Sequence, residues 1–340
     1  MTEEKTGWWG GELWAAADLL TPMAIRVAAT LRLADHIAAG RQTTEALAAA
    51  TDADRDALDR VLRHLAAAGV LSRAEAGTYN LTVLGEQLRD DGPEGLRAFI
   101  DLEGAIGRAD LCFAQLLHTV RTGEAAFPRQ FGSSFWDDLA ADSVRAASFD
   151  ALMGARLAAE APALATAYPW GALGHIVDVG GGNASLLIAI LHAHGNLRGA
   201  VIDLPGPAAR AKQAIASAGL AHRADAQEGS FFDALPAGAG GYVLSSVLHD
   251  WDDENAVRIL RRCADAASET GKVIVLEEWV EDDQGSTPNT EGDLRMLCYC
   301  RGRDRTLDQL GGLAKSADLE ISSTVRGGSR WIIEMRPSHF

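Results

Sequence analysis

The chain has 340 residues, 47% of them hydrophobic and 23% charged, enough for one large or two moderate domains with a sizeable core. Its formal charge of -16 argues against nucleic acid or an anionic membrane surface as the main partner. No apolar run reaches the roughly 18 residues of a membrane span, and the opening "MTEEKTGWWGGELW" has no basic-then-apolar leader pattern. Cys112, Cys263, Cys298 and Cys300 form no Cys-x-x-Cys pair, so the expectation is reduced thiols in a cytoplasmic protein, with no metal.

The first hundred residues are rich in Ala and Leu. Thr43 or Thr44 caps a short predicted helix, and Asp54 caps a second. The apolar face of the second is Leu58, Val61, Leu62 and Leu65, and Gly69 ends it. Val70-Leu71, a turn around Gly77 and Tyr79–Leu81 then make a small hairpin. Helix, turn, helix, wing is a winged-helix pattern, which raises DNA binding. Charge speaks against it: residues 1–100 carry 15 acids and 10 Lys/Arg, and Asp54, Asp56 and Asp59 offset Arg55, Arg60 and Arg63. A structural or dimerisation role is expected instead. The sequence assigns no role to Trp8, Trp9 and Trp14.

Residues 96–167 read as helical. Phe149, Met153 and Leu157 recur every four residues, and either pack a core or roof a pocket. After Pro169 short apolar strands alternate with helices: 175–179, 199–203, 242–248 and 272–278, with "DLEISSTV" and "RWIIEM" as a closing hairpin. That alternation predicts a mostly parallel α/β sheet with ligands at the carboxyl ends of the strands.

The strand ends carry polar residues. Gly180, Gly181 and Gly182 allow a sharp turn and close backbone approach, for a dinucleotide, a nucleoside or only a tight turn. Asp203 ends the next strand and can accept the hydroxyls of a ribose or cap a helix. Ser230 and Phe231 follow, and an aromatic there can cover a purine or join the core. His249 suits a general base, although a loop histidine is the plainer alternative. Asp250 and Trp251 would flank a ligand. Glu277 and Asp304 are candidates to orient the imidazole, or are simply solvated acids.

"DVGGG", "VIDLPG", "GSFFDALPAGAGGYVLSSVLHDWDDENAVRILRRC", "EGDLRML" and "GRDRTLDQLGGLA" together resemble the S-adenosylmethionine-dependent small-molecule O-methyltransferases of plants and bacterial polyketide pathways. "TPMAIRVAATLRLADHI" resembles the anthracycline and enediyne naphthoate branch. The resemblance spans residues 15–336. It implies a Rossmann-like, seven-stranded class I methyltransferase sheet with an N-terminal all-helical winged-helix dimerisation domain. The domains would be residues 1–98 and 99–340, with 99–167 as connecting helices over the substrate pocket.

By resemblance His249 matches the catalytic base, and Glu277 and Asp304 the acids beside it, Asp304 standing where Glu is usual. Gly180, Gly182, Asp203, Ser230, Phe231 and Ser245 match cofactor contacts, with Leu204 and Phe232 beside them and Trp251 against the adenine. Phe149, Met153, Asp250, Met296 and Tyr299 match positions around the substrate or the sulfonium. Three departures stand out: Ala184 replaces the third glycine of the loop, Ser230 replaces an Asp, and Arg301 stands where relatives often have Gly.

The expected protein is a homodimer that binds S-adenosylmethionine, releases S-adenosylhomocysteine and methylates a hydroxyl of a small aromatic molecule. The alternative within the family is a member that uses bound cofactor for hydroxylation, decarboxylation or a pericyclic step. Outside it stand a nicotinamide-dependent dehydrogenase, disfavoured by the missing final glycine, and a winged-helix regulator, disfavoured by charge.

Overall fold

The computed structural model describes residues 11–75, 77–92, 95–278 and 290–338, so Trp8 and Trp9 lie outside the described residues. The chain forms two compact units. The first runs to Asp110 and takes back Val144–Phe149, and the second comprises Leu111–Ser143 and Asp150 onward.

In the first unit, helix α1 (Leu20–Thr30) packs with α2 (Thr44–Thr51) and α3 (Arg55–Ala67). Thr43 Oγ1 accepts from Ala46 N at 3.2 Å and starts α2, and Asp54 Oδ1 accepts from Ala57 N at 2.8 Å and starts α3. Leu58, Leu62 and Leu65 are buried on one stripe of α3 while Val61 is half-buried at its margin. Strands β1 (Leu71–Arg73) and β2 (Tyr79–Leu81) pair antiparallel as the wing, making this unit helical apart from one two-stranded ribbon. The arginines of α3 are engaged by acids of the same unit: Arg55 by Glu45, Arg60 by Asp56 at 2.7 Å and Arg63 by Asp59 at 2.9 Å.

The second unit holds a seven-stranded sheet. Its strands are β3 (His175–Val179), β4 (Arg198–Asp203), β5 (Ala224–Glu228), β6 (Gly241–Ser245), β7 (Lys272–Glu277), β8 (Leu319–Gly327) and β9 (Arg330–Pro337). The order is β5-β4-β3-β6-β7-β9-β8, the first five parallel and β9 antiparallel to both neighbours. Successive side chains of a strand point to opposite faces. Val177, Tyr242, Leu244, Val273 and Val275 therefore enter one core, and Ile176, Val243, Ile274 and Leu276 the other. Because both faces are covered, these strands are near-continuous apolar runs.

One strand differs from expectation. β6 stops at Ser245 and not at residue 248. Ser246 is left-handed (φ +54°), a conformation that cannot continue the pleat, and Leu248–Asp250 form a single 3-10 turn. The chain order reverses between β3 and β6, so the loops after those strands open at the switch point of the sheet.

Two of the departures noted in the sequence also sit at positive φ: Ala184 (φ +67°), the N-cap of the helix Ser185–Ala193, and Arg301 (φ +62°). A Cβ in this region costs about 1–2 kcal/mol. Arg301 is exposed, so its replacement removes little packing. Arg301→Gly should relieve the strain, offset by about 0.4–1 kcal/mol of unfolded-chain entropy. The expected net is a gain of about 0–1.6 kcal/mol, read as a small rise in thermal midpoint. A lower midpoint would mean that Arg301 makes contacts worth more than its strain.

Candidate active site

The carboxyl ends of β3, β4, β6 and β7 bring together most of the residues singled out in the sequence. After β3, Gly180 and Gly182 take positive φ (+73° and +57°). A Cβ on Gly180 would lie 3.0 Å from Val247 Cγ2 and 3.5 Å from the Phe231 ring, so glycine is what lets the loop reach β6. Asp203, at the end of β4, reaches back across the sheet. Its Oδ2 accepts from Gly182 N at 2.8 Å and its Oδ1 from Leu204 N at 2.7 Å. Burial raises its carboxyl above the ordinary value, outweighing those two bonds. Leu204 itself is half exposed.

Ser230 Oγ accepts from Phe232 N at 3.2 Å and so shapes the loop that presents two aromatic rings. Phe231 and Phe232 both meet the Trp251 ring edge-on, at centroid distances of 5.7 and 4.9 Å. Phe232 is also covered by the Arg258 guanidinium, 4.9 Å from its centroid. Phe231 and Trp251 thus form the wall beside Gly180, with Phe232 behind them. Ser245 Oγ is buried without a hydrogen-bond partner among the described residues.

His249 sits on the turn after β6. Its Nδ1 is 3.5 Å from Asp304 Oδ1 and 3.7 Å from Glu277 Oε2, and its Nε2 is 3.5 Å from Asp250 Oδ1. The imidazole keeps 27% of its surface, against 10% or less for the Glu277 and Asp304 side chains. Glu277 divides its two oxygens: Oε1 accepts from Leu248 N at 3.0 Å and His249 N at 3.4 Å, leaving Oε2 toward the ring. Burial acts to lower the histidine's pKa. The charges of Glu277 and Asp250 and the bond to Asp304 overcome it and push the group up to about 10. Burial is also the first cause that raises Glu277, and it lifts Asp250 to about 7.

The remaining residues fall on helices. Met153 lies on α4 (Ser143–Ala167), one residue before Gly154, whose α-carbon packs so closely on Asn183 of the glycine loop that a Cβ would lie 2.2 Å from its Nδ2. Met296 and Tyr299 lie on α5 (Thr290–Cys300). Tyr299 is buried and stacks between Phe113 and Phe135, at 6.0 and 5.3 Å. Trp136, next to Phe135, lies nearly parallel to Trp251 at 6.3 Å, so aromatic rings run without a break from Tyr299 to the wall beside Gly180. Phe149 belongs to the segment that groups with the first unit.

Sequence reasoning passed over three residues. Asp178 lies within β3, 2% exposed, with neither oxygen partnered among the described residues, and burial lifts it to about 7. Its signal was an acid inside an apolar strand, two residues before the glycine loop. Arg330 donates to Glu160 of α4 and to Ser246 Oγ, and Arg305 donates to Leu248 O and Trp251 O. Arg305 stands inside the quoted "GRDRTLDQLGGLA" and Arg330 opens "RWIIEM", but neither residue was singled out there.

Comparison with known proteins then decides the family. Residues 113–320 match the O-methyltransferase domain and residues 14–90 the O-methyltransferase dimerisation domain. The chain belongs to the O-methyltransferase family. A 2,7-dihydroxy-5-methyl-1-naphthoate 7-O-methyltransferase of Streptomyces carzinostaticus is 54% identical over 90% of this chain and 92% of its own. An aclacinomycin 10-hydroxylase of Streptomyces purpurascens is 46% identical over 92% of this chain and 84% of its own. The crystal structure of an O-methyltransferase from neocarzinostatin biosynthesis, in complex with S-adenosylmethionine and 2-hydroxy-5-methyl naphthoic acid, matches at TM-score 0.92 and 51% identity, over 96% of this chain and 99% of that one.

The enzyme's cofactor is S-adenosylmethionine, and the strand ends suit it. The buried Asp178 carboxyl, the half-buried Asp203 carboxyl, the Ser245 hydroxyl and the Gly180 cradle offer acceptors and close backbone to a ligand bearing positive charge and donor hydroxyls. Among the described residues no group of three His, Cys, Asp or Glu side chains could hold a metal ion, and no helix is long and apolar enough to cross a membrane.

Glu277→Gln keeps an oxygen for the turn's N–H groups but removes the charge facing Nδ1. The imidazole, followed by NMR through a pH titration, should then titrate well below 10 and closer to the ordinary value of about 6.5. A titration unmoved by the substitution would mean that Glu277 does not set the charge of His249.

Proposed function

We propose that the enzyme methylates a phenolic hydroxyl of a fused-ring aromatic acid of the naphthoate type in bacterial antibiotic biosynthesis, with His249 as general base. The observation that carries the base assignment is the imidazole held between three carboxylates on the turn that runs from Val247, which faces Gly180, to Trp251, which meets Phe231. The 54% identity to a naphthoate 7-O-methyltransferase supports the acceptor class.

Bound S-adenosylmethionine supplies an electrophilic methyl group on a positively charged sulfur. Asp203 would hold the ribose hydroxyls, Gly180 and Gly182 would admit the ligand against the backbone, and Trp251 with Phe231 would cover the adenine. Ser230 and Ser245 add hydroxyls at neighbouring strand ends, Leu204 and Phe232 back them, and Met153, Met296 and Tyr299 line the acceptor side. Phe149 is assigned by resemblance to the same acceptor set.

The proton chemistry follows from the charges. Glu277 and Asp304 face Nδ1 and keep a proton there, which leaves Nε2 to accept one from the acceptor hydroxyl. Asp250, facing Nε2, stabilises the imidazolium that results. A phenol titrates near pH 10, about where the raised histidine does, so the proton is shared almost evenly between them. The reactive pair is a neutral imidazole with a neutral hydroxyl or, equivalently, an imidazolium with an oxyanion. Both arise by losing one proton from the fully protonated pair, so turnover should grow as pH rises.

The N-terminal residues 1–98 are proposed to form a homodimer, for which the exposed Leu19, Leu20, Val83 and Leu84 supply apolar surface, and the enzyme is assigned to the cytoplasm. A second reading, oxygenation of the acceptor, is favoured by the 46% identity to a hydroxylase.

Incubation with S-adenosylmethionine and 2,7-dihydroxy-5-methyl-1-naphthoate should give a product heavier by one methylene unit. A gain of one oxygen atom would favour the second reading. His249→Ala should lower kcat about 10²–10⁴-fold while affinity for S-adenosylhomocysteine changes little. In the native enzyme log kcat/KM should climb from pH 7 toward pH 10 and not level off near 6.5. A flat profile above pH 7, or nearly full turnover in His249→Ala, would remove His249 as the base.

A further inference from the structure

The turn that carries His249 is gripped on its carbonyl side by the segment around Asp304, in which Arg305 has no role assigned so far. The Arg305 side chain is 5% exposed. Its Nη1 donates to Leu248 O at 2.8 Å and its Nη2 to Trp251 O at 2.7 Å. Nε and Nη2 also donate to Asp253 Oδ1, at 3.0 and 2.9 Å. Between those two carbonyls, His249 O accepts from Arg303 N at 2.7 Å. The backbone at Gly302 is pressed so tightly against the turn that a Cβ would lie 2.1 Å from His249 O. Asp304, the residue before Arg305, is the acid nearest Nδ1.

We propose that Arg305 is a positioning residue: its guanidinium fixes the imidazole of His249 and the indole of Trp251 as one rigid piece and brings Asp304 to Nδ1. The proposal rests on the reading of His249 as base and Trp251 as cofactor wall. Only a planar fork fits the task, because one group must reach two carbonyls and a carboxylate in different directions. A lysine in the same place supplies the charge on a single nitrogen and cannot span both carbonyls. Burying a guanidinium is costly, and an ionic contact of this kind is weak evidence for stability alone. What the arrangement secures is geometry, where an error of 1 Å can cost about 10²-fold in rate.

The test uses the full-length protein with Arg305→Lys and Arg305→Ala, their folding checked by circular dichroism and melting. Calorimetry with S-adenosylhomocysteine reads the Trp251 wall, and an NMR pH titration of His249 reads the base; neither needs an acceptor. Both variants should bind S-adenosylhomocysteine several-fold more weakly, and the His249 titration should move down from about 10 as Asp304 draws away. With 2,7-dihydroxy-5-methyl-1-naphthoate as acceptor probe, kcat should fall about 10²-fold. Added guanidinium ion should restore part of the loss in Arg305→Ala.

Native affinity and an unmoved titration in a folded variant would overturn the proposal. So would full repair by lysine, since charge alone would then suffice, and so would failure of both variants to fold, since the role would be structural. His249→Ala run in parallel separates the two ideas. Retained turnover there sinks the base reading, while the calorimetry with the Arg305 variants still decides whether the arginine fixes Trp251.

Discussion

The site is organised around one short turn whose backbone groups have left the sheet. Ser246 takes a left-handed conformation and ends β6, so the N–H and C=O groups of Leu248–Asp250 lose their strand partners in a largely buried place. Such groups must find partners elsewhere. The Glu277 carboxylate accepts the N–H groups of Leu248 and His249, and Arg305 with the backbone of Arg303 donates to the carbonyls of Leu248, His249 and Trp251. The structural demand and the chemistry are therefore joined: the acid that satisfies the turn is also the acid that faces the imidazole.

Charge explains the rest of the arrangement. Asp178, Asp203, Asp250 and Glu277 are all held above their ordinary pKa, burial being the first cause in each. Collecting buried acids is costly for a protein alone. It suits a centre whose ligand is a cation and, on the proposed reading of His249, whose base must become one. The raised pKa of His249 is the counterpart of the same field, because three carboxylates favour the protonated ring more than burial disfavours it.

From Asp150 onward, the long helix α4 is tied to the strand ends of the second unit at four places. Asp150 pairs with Arg210 beyond β4, Gly154 packs on Asn183 after β3, Arg156 pairs with Glu278 after β7 at 2.8 Å, and Glu160 pairs with Arg330, which also holds Ser246. A helix with a weak apolar stripe is thereby held by polar contacts where packing alone would leave it loosely placed. Gly154 matters because no side chain fits between the helix and the glycine loop.

Sequence by itself determined the elements and their contents. The caps at Thr43 and Asp54, the stripe of α3, the parallel strands and the polar residues at their ends follow from local rules of spacing and capping, which is why they were legible. So were Gly180, Asp203, His249 and Glu277 as candidates, since strand ends can be counted along a chain. Tertiary structure alone decided which acids share the imidazole, since Asp304 lies 55 positions from His249 and meets it only across the fold. It also decided that β6 breaks at Ser246, because nothing local forces a serine to φ +54°, that Asp178 is buried with neither oxygen partnered among the described residues, and that Arg305 grips the turn of His249. Buried polar groups are satisfied by partners distant in sequence, and no period or motif along the chain announces those partners in advance.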